Sequence, residues 1–213
     1  MAGDLEKTEL VMLTPGDFEE VAQLIERHFL KRNPLNIAAN ETSAECFGDS
    51  FGLRIKSSLE SGFCVGAREK TTKKMVGLKL ASVGRVDQLC TRDTERLRGK
   101  SVGCRILAMI NVDAEMFQHV TSVLFLLYVC VHPRYCGRGL ARMMVQKVME
   151  MGRDRGIEAM FVQATNTLSA RIYTRLGFET VKSLDLSTIA DEMGLDLSLI
   201  PQEETIIKLM LKR

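Results

Sequence analysis

Val123-Leu124-Phe125-Leu126-Leu127-Tyr128-Val129-Cys130-Val131-His132-Pro133-Arg134-Tyr135-Cys136-Gly137-Arg138-Gly139-Leu140-Ala141 reads as a buried strand running into a glycine turn and a helix start. The apolar run Val123 to Val131 is too short to span a bilayer, which takes about 20 helical residues. It fits a strand covered on both faces. The two glycines let the backbone curl, so that several N–H groups point at one spot. The helix N-terminus adds about half a positive charge there. Arg134 and Arg138 can add charge-assisted hydrogen bonds. This arrangement suits a pyrophosphate. The plain alternative is a strand-to-helix turn with no ligand. The arginines, the strong strand before and the long helix after weigh against it. Neither the dinucleotide pattern G-x-G-x-x-G nor the P-loop ending G-K-[ST] is met.

Downstream, residues 140 to 153 form an amphipathic helix with Leu140, Met143, Met144 and Val148 facing inward. Residues 158 to 165 are the next strand. A helix over 168 to 176 ends at Gly177, and strands over 178 to 184 and 205 to 211 follow. Upstream, residues 9 to 13 are a first strand, and Thr14 or Asp17 caps a helix. Phe18, Val21, Leu24, Ile25 and Phe29 line that helix, which stops near Asn33-Pro34 because the residue before proline avoids the helical region. Residues 43 to 60 read as a helix with Phe47, Phe51 and Leu59 on its apolar face. Residues 62 to 68 and 74 to 83 read as an antiparallel hairpin across the charged turn 69 to 73. The basic stretch 85 to 100 reads as a mobile loop, and 101 to 117 as helical. No repeat or linker divides the chain. The expectation is one domain over 1–213, with its core at about 9–211 and an insert at 85–121 between the third and fourth strands. The class is mixed α/β with one parallel crossover at the centre.

Among 213 residues, 46% are hydrophobic and 26% charged, with a net charge of +2. That balance suits a globular chain and leaves no basic field for a dedicated nucleic-acid binder. No membrane span and no signal peptide are read in the sequence. The six cysteines (Cys46, Cys64, Cys90, Cys104, Cys130 and Cys136) include no C-x-x-C pair. Reduced thiols, no metal, a cytoplasmic setting and a monomer or weak dimer are therefore expected.

The segment Val131 to Ala141 resembles the acetyl-CoA signature [RQ]-x-x-G-x-[GA] of the GCN5-related N-acetyltransferases (GNAT). A second block, Asn166-x-x-Ser169-Ala170-x-x-Tyr173-x-x-Leu176-Gly177-Phe178, resembles the same superfamily at the expected distance. The resemblance covers residues 9 to 211 by element order. It implies a mostly antiparallel seven-stranded sheet with a central splayed parallel pair. It also implies acetyl-CoA as co-substrate, held by Val129, Cys130, Val131, Arg134, Tyr135, Cys136, Gly137, Arg138, Gly139, Leu140, Ala141, Asn166, Ala170 and Tyr173.

Within that superfamily, His28 to Asn36, which closes on Pro34-Leu35-Asn36, resembles the insect-type arylalkylamine N-acetyltransferases. So do the insert and the hydroxyls of Thr165 and Ser169. That resemblance implies transfer of the acetyl group to the primary amine of a small molecule, an arylalkylamine (dopamine, serotonin, tyramine class) or a polyamine. It implies Tyr173 as the acid for the departing thiolate, against a plain reading as a half-buried helix aromatic. Thr165 and Ser169 become candidates for proton relay or substrate contact, beside a capping role for Thr165, Asn166 or Thr167. The family carries a glutamate base immediately before Pro-Leu-Asn. Here that place is Asn33, which can position a water but cannot take a proton. His28, His119 and His132 read as surface, helix-end and structural histidines. Two alternatives remain at this stage: a protein lysine or N-terminal acetyltransferase, and a catalytically weak coenzyme-A-binding protein.

Overall fold

The computed structural model describes residues 7–86, 101–117 and 119–213. The basic stretch from 87 to 100 and the Phe47 side chain lie outside the described residues.

The chain opens with β1 (Thr8–Met12). The backbone N–H and hydroxyl of Thr14 both donate to Asp17 Oδ2, at 2.8 and 3.0 Å. This capping box starts the turn before α1 (Phe18–Leu24). A π-turn (Ile25–Phe29) and a tight turn (Leu30–Arg32) then carry the chain to Asn33, which is extended (ψ 116°) ahead of Pro34. α2 (Pro34–Ala38) begins there, with the Asn33 side-chain oxygen accepting from Leu35 N–H at 3.2 Å. α3 (Ser43–Glu60) has its own capping box, Thr42 with Glu45. It buries Phe51, Ile55 and Leu59 at four-residue spacing.

β2 (Val65–Glu69) and β3 (Met75–Arg85) form the expected antiparallel hairpin. α4 (Val102–Met109) is shorter than the helix read over 101 to 117. The Asn111 side chain accepts from Val112 N–H at 2.9 Å, a local bond that competes with helix continuation. A separate turn at Ala114–Phe117 follows.

β4 (Ser122–Val131), α5 (Leu140–Asp154), β5 (Ala159–Ala164) and α6 (Thr167–Arg175) form the central crossover. β6 (Glu179–Asp185) leads into an excursion carrying α7 (Ala190–Met193), and β7 (Ile206–Lys212) closes the sheet. Among the described residues seven strands run in the order β1-β2-β3-β4-β5-β7-β6, and only β4 and β5 pair in parallel.

Alternation along the strands sends side chains to two faces. On one face, α5 and α6 pack Met144, Val145, Val148 and Tyr173 against Val76, Leu124 and Val162. On the other, α1 and α3 cover Leu78 and Leu80, while α2, α4 and the 186–200 excursion cover Phe161, Ile207 and Leu209. Met143, expected inside, is 37% exposed; Val145, Met149 and Met151 are buried instead. The buried arc of α5 is centred on 144, 148 and 151, which leaves 143 on its flank. Among the described residues no helix is long and apolar enough to cross a membrane.

Candidate active site

The parallel pairing of β4 with β5 lasts only from Val123↔Ala159 to Phe125↔Phe161. Beyond it β5 stays bonded to β7, and β4 stays bonded to β3. The edge of β4 facing β5 therefore has no strand partner past Phe125. A cavity of about 760 Å³ occupies this gap, with walls from β4, Val162 to Asn166, the α1–α2 junction, α3 and α4. Gln163 Nε2 donates to the carbonyls of Leu107 and Ile110 at 2.7 and 3.0 Å, bracing α4 against β5.

Between Lys79↔Val129 and Ala81↔Leu126 the register of β3 and β4 shifts. Leu127 and Tyr128 thus face the single residue Leu80, which is a β-bulge. The bulge turns Tyr128 toward Phe29 and Phe51, with ring centroids 5.2 and 5.4 Å away. The Leu127 carbonyl accepts from Lys79 Nζ at 3.3 Å, and the same nitrogen lies 3.0 Å from the Tyr173 hydroxyl. Lys79 is fully buried, and burial pulls its ammonium down to about 7.

The glycine turn closes the other end. His132 N–H donates to Val76 O at 2.8 Å, and His132 Nδ1 accepts from Arg134 N–H at 3.2 Å. Gly137 and Gly139 have φ of 75° and 81°, the left-handed region that glycine enters without strain. A Cβ built at either would meet nothing within 4 Å, so open space lies in front of the turn. The N-terminus of the 15-residue α5 faces the same place. Open N–H groups, a helix terminus and nearby arginines fit the pyrophosphate of a coenzyme.

Of the residues expected to hold the coenzyme, Val129, Cys130, Val131, Tyr135, Cys136, Gly137, Gly139, Leu140, Ala141 and Asn166 line the cavity. Arg134, Arg138, Ala170 and Tyr173 are not on its wall. Arg138 lies over the Tyr135 ring at 5.5 Å, and the Tyr135 hydroxyl donates to Glu69 at 2.7 Å. This ties the turn to the β2–β3 hairpin.

Asn33, Thr165 and Ser169 reach the cavity. Asn33 is 6% exposed, and its oxygen is committed to the cap of α2. The cap of α6 is Asn166, whose Oδ1 accepts from Ser169 N–H at 2.7 Å. Thr167 gives its N–H and hydroxyl to Glu204. The hydroxyls of Thr165 and Ser169 are thus not used as caps. Tyr173 differs from the expectation of an acid at the thiolate. Its side chain is fully buried, and burial drives its phenol far above the usual range. Leu168, Ser169, Ile172 and Arg175 form the cavity side of α6, while Ala170 and Tyr173 face the core. The motif places Tyr173 on the helix but does not set which face docks.

Lys79, Arg32 and Arg54 were not singled out in the sequence, and His28 was read there as a surface histidine. Lys79 is a lone charge inside the apolar run 75 to 83, which was a readable signal. Arg32 Nη2 donates to Val131 O at 2.8 Å and shields the end of β4. His28 packs edge-on to His132 at 4.7 Å. Burial first, then the charges of His132 and Arg32, holds the His28 imidazole below its usual range. Arg54 stands one turn after Phe51 on the inner stripe of α3 and reaches the cavity.

Three solved structures share this architecture. Polyamine N-acetyltransferase of Drosophila melanogaster, an enzyme that catalyses the formation of N-acetylagmatine, superposes with a TM-score of 0.80 at 19% identity. The match covers 97% of this chain and 99% of that one. Arylalkylamine N-acetyltransferase 2 from Aedes aegypti matches with a TM-score of 0.82 at 19% identity, over 96% of this chain and 98% of that one. The NatC complex bound to Gag peptide and CoA contains a chain that matches at 11% identity with a TM-score of 0.58, over 96% and 97%. No curated protein matches the chain by sequence. The model of the acetyltransferase (GNAT) family matches residues 88–178. With its seven-stranded sheet and splayed parallel pair, the chain has the GNAT fold.

Proposed function

We propose that this protein is an N-acetyltransferase that moves the acetyl group of acetyl-CoA directly to the primary amine of a small molecule of the arylalkylamine class. One observation carries the reading. A single cavity joins the open glycine turn to a pocket walled by Phe29, Phe51 and Tyr128, along the unpaired edge of β4. A phosphate-bearing donor and an aromatic acceptor can therefore enter from opposite ends. The four described cysteines are unbridged, which suits the reducing cytoplasm.

In this reading the turn Cys136 to Ala141 holds the coenzyme pyrophosphate. The free backbone edge of β4 beyond Phe125 offers N–H groups to the developing oxyanion. The amine nitrogen bonds to the acetyl carbon, and the carbon–sulfur bond breaks. The nitrogen gives up one proton while the thiolate gains one. Thr165 and Ser169, whose hydroxyls are not used as caps, are placed to pass that proton. Asn33 cannot accept it. His28 lies beside His132 at the end of β4, on the coenzyme side of the bulge. The acceptor is accordingly captured as free amine.

The test is thiol release from acetyl-CoA with a panel of dopamine, serotonin, tyramine and tryptamine, together with the mass of the product. Acetylated amine is expected. Coenzyme binding by calorimetry with no release for any acceptor would sink the transferase reading in favour of a coenzyme-binding protein.

A further inference from the structure

The acceptor end of the cavity holds a cation, Arg54, with no counter-ion among the described residues. Arg54 shares the cavity wall with Tyr128 and Cys104, whose hydroxyl and thiol are neutral at about pH 7. Among the described residues Arg54 makes no ion pair. It stands beside the aromatic wall formed by Phe51 and Tyr128. Its neighbours come from α3, β4 and α4, and none belongs to the glycine turn, so the coenzyme phosphates do not account for it.

The cavity carboxylates are committed elsewhere. Glu41 accepts the backbone N–H groups of Val102 and Gly103 at the start of α4. Glu204 accepts from Thr167. Of the cavity arginines, Arg32 and Arg142 lie toward the glycine turn, and Arg54 stands by the aromatic wall. A polyamine would bring a second ammonium toward Arg54 and find like charge. A guanidinium drawn from water without a counter-ion is costly. Its planar fork of donors matches a carboxylate with two parallel hydrogen bonds.

We infer that the acceptor is an amine that also carries a carboxylate, an amino acid with an aromatic side chain, and that Arg54 binds the carboxylate while Phe29 and Phe51 flank the ring. This rests on the transferase reading above. The charge of Arg54 favours entry of the amine in its uncharged form, which suits a site with Asn33 where a base would stand.

Matched pairs separate the two claims. Phenethylamine against phenylalanine, tyramine against tyrosine, and tryptamine against tryptophan differ only by the carboxylate. Thiol release is expected to give a kcat/KM roughly 10- to 100-fold higher for the carboxylate member of each pair, the range of hydrogen bonds to charged groups. In Arg54→Gln the ratio of amino-acid to plain-amine kcat/KM should collapse, through KM of the amino acid. Coenzyme A binding by calorimetry reports that the variant is folded. On the wild-type protein, 3-phenylpropionate, which has the carboxylate and ring but no amine, should compete with phenethylamine. Amines turned over with amino acids refused would overturn the inference and leave the transferase reading standing. So would a preference that Arg54→Gln leaves intact, or absence of competition by 3-phenylpropionate. No turnover of either member of any pair would overturn both.

Discussion

Lys79 and Asn33 show how single residues set the behaviour of this site. Lys79 is buried on a strand with the Leu127 carbonyl and the Tyr173 hydroxyl as its hydrogen-bond partners. Burial lowers its ammonium from 10.5 to about 7. Between those values the unfolded chain holds a proton that the folded chain does not. Stability must therefore rise with pH across that window and be lost as pH falls toward 7. Urea unfolding of wild type and Lys79→Met should show this: wild type gains on the variant from neutral to alkaline pH. Parallel curves would mean that Lys79 is not buried as a neutral group. Asn33 makes the second prediction. Without a carboxylate at this place, kcat/KM should climb with pH toward the ordinary range of the amine itself, about 10. Asn33→Glu should raise the neutral rate by about tenfold or more, with a loss of about 1 kcal/mol of stability from the missing cap. A wild-type profile that levels off between pH 5 and 8 would point to a proton acceptor elsewhere, His28 first. Gly137 and Gly139 were readable from the strand-to-helix turn, and the place of Asn33 came through the family resemblance. Arg54 was not readable, because its meaning comes from Tyr128 and Cys104, which are distant in sequence.

At the scale of elements, the chemistry depends on a bulge in β4, its separation from β5 and the turn into α5. Gly139 sits at φ 81° as the residue before α5. Gly139→Val would force a branched side chain into the left-handed region, at about 1–2 kcal/mol, and cover the open N–H groups. Coenzyme A binding by calorimetry should weaken by roughly tenfold or more, with the far-ultraviolet spectrum kept. Unchanged affinity would mean that the coenzyme does not use this turn. Most elements were legible because their signals are local: capping residues, Pro34, the charged turn at 69 to 73, and the apolar run of β4. The end of α4 was less so, since Asn111 breaks a pattern that periodicity alone continues. The faces of α5 and α6 were also misjudged in part. Met143 lies on the flank of its stripe and Tyr173 inside the core, and docking against the sheet decides both.

For the whole molecule, the strand order β1-β2-β3-β4-β5-β7-β6 joins segments far apart in the chain. No local pattern specifies that β7 inserts between β5 and β6. The two motif blocks supplied, through resemblance, the mostly antiparallel sheet with its central parallel pair, and the pairings agree; the place of β7 came from the structure alone. The cavity exists only because β4 and β5 part after Phe125, so its volume and charge were not legible in the sequence. Its walls draw Arg32, Arg54, Glu41 and Glu204 from four separate segments. The excursion from 186 to 204 contributes to this enclosure: Asp196 N–H donates to Ala38 O at 2.8 Å, fastening it to α2. An enclosed acceptor end suits a small molecule better than an extended peptide. The most direct measurement is product formation from acetyl-CoA with small aromatic amines, followed by mass and thiol release as pH is raised. Amine-dependent acetylated product whose rate climbs into the alkaline range is the predicted result. Coenzyme bound at the glycine turn with no acetylated amine at any pH would contradict it.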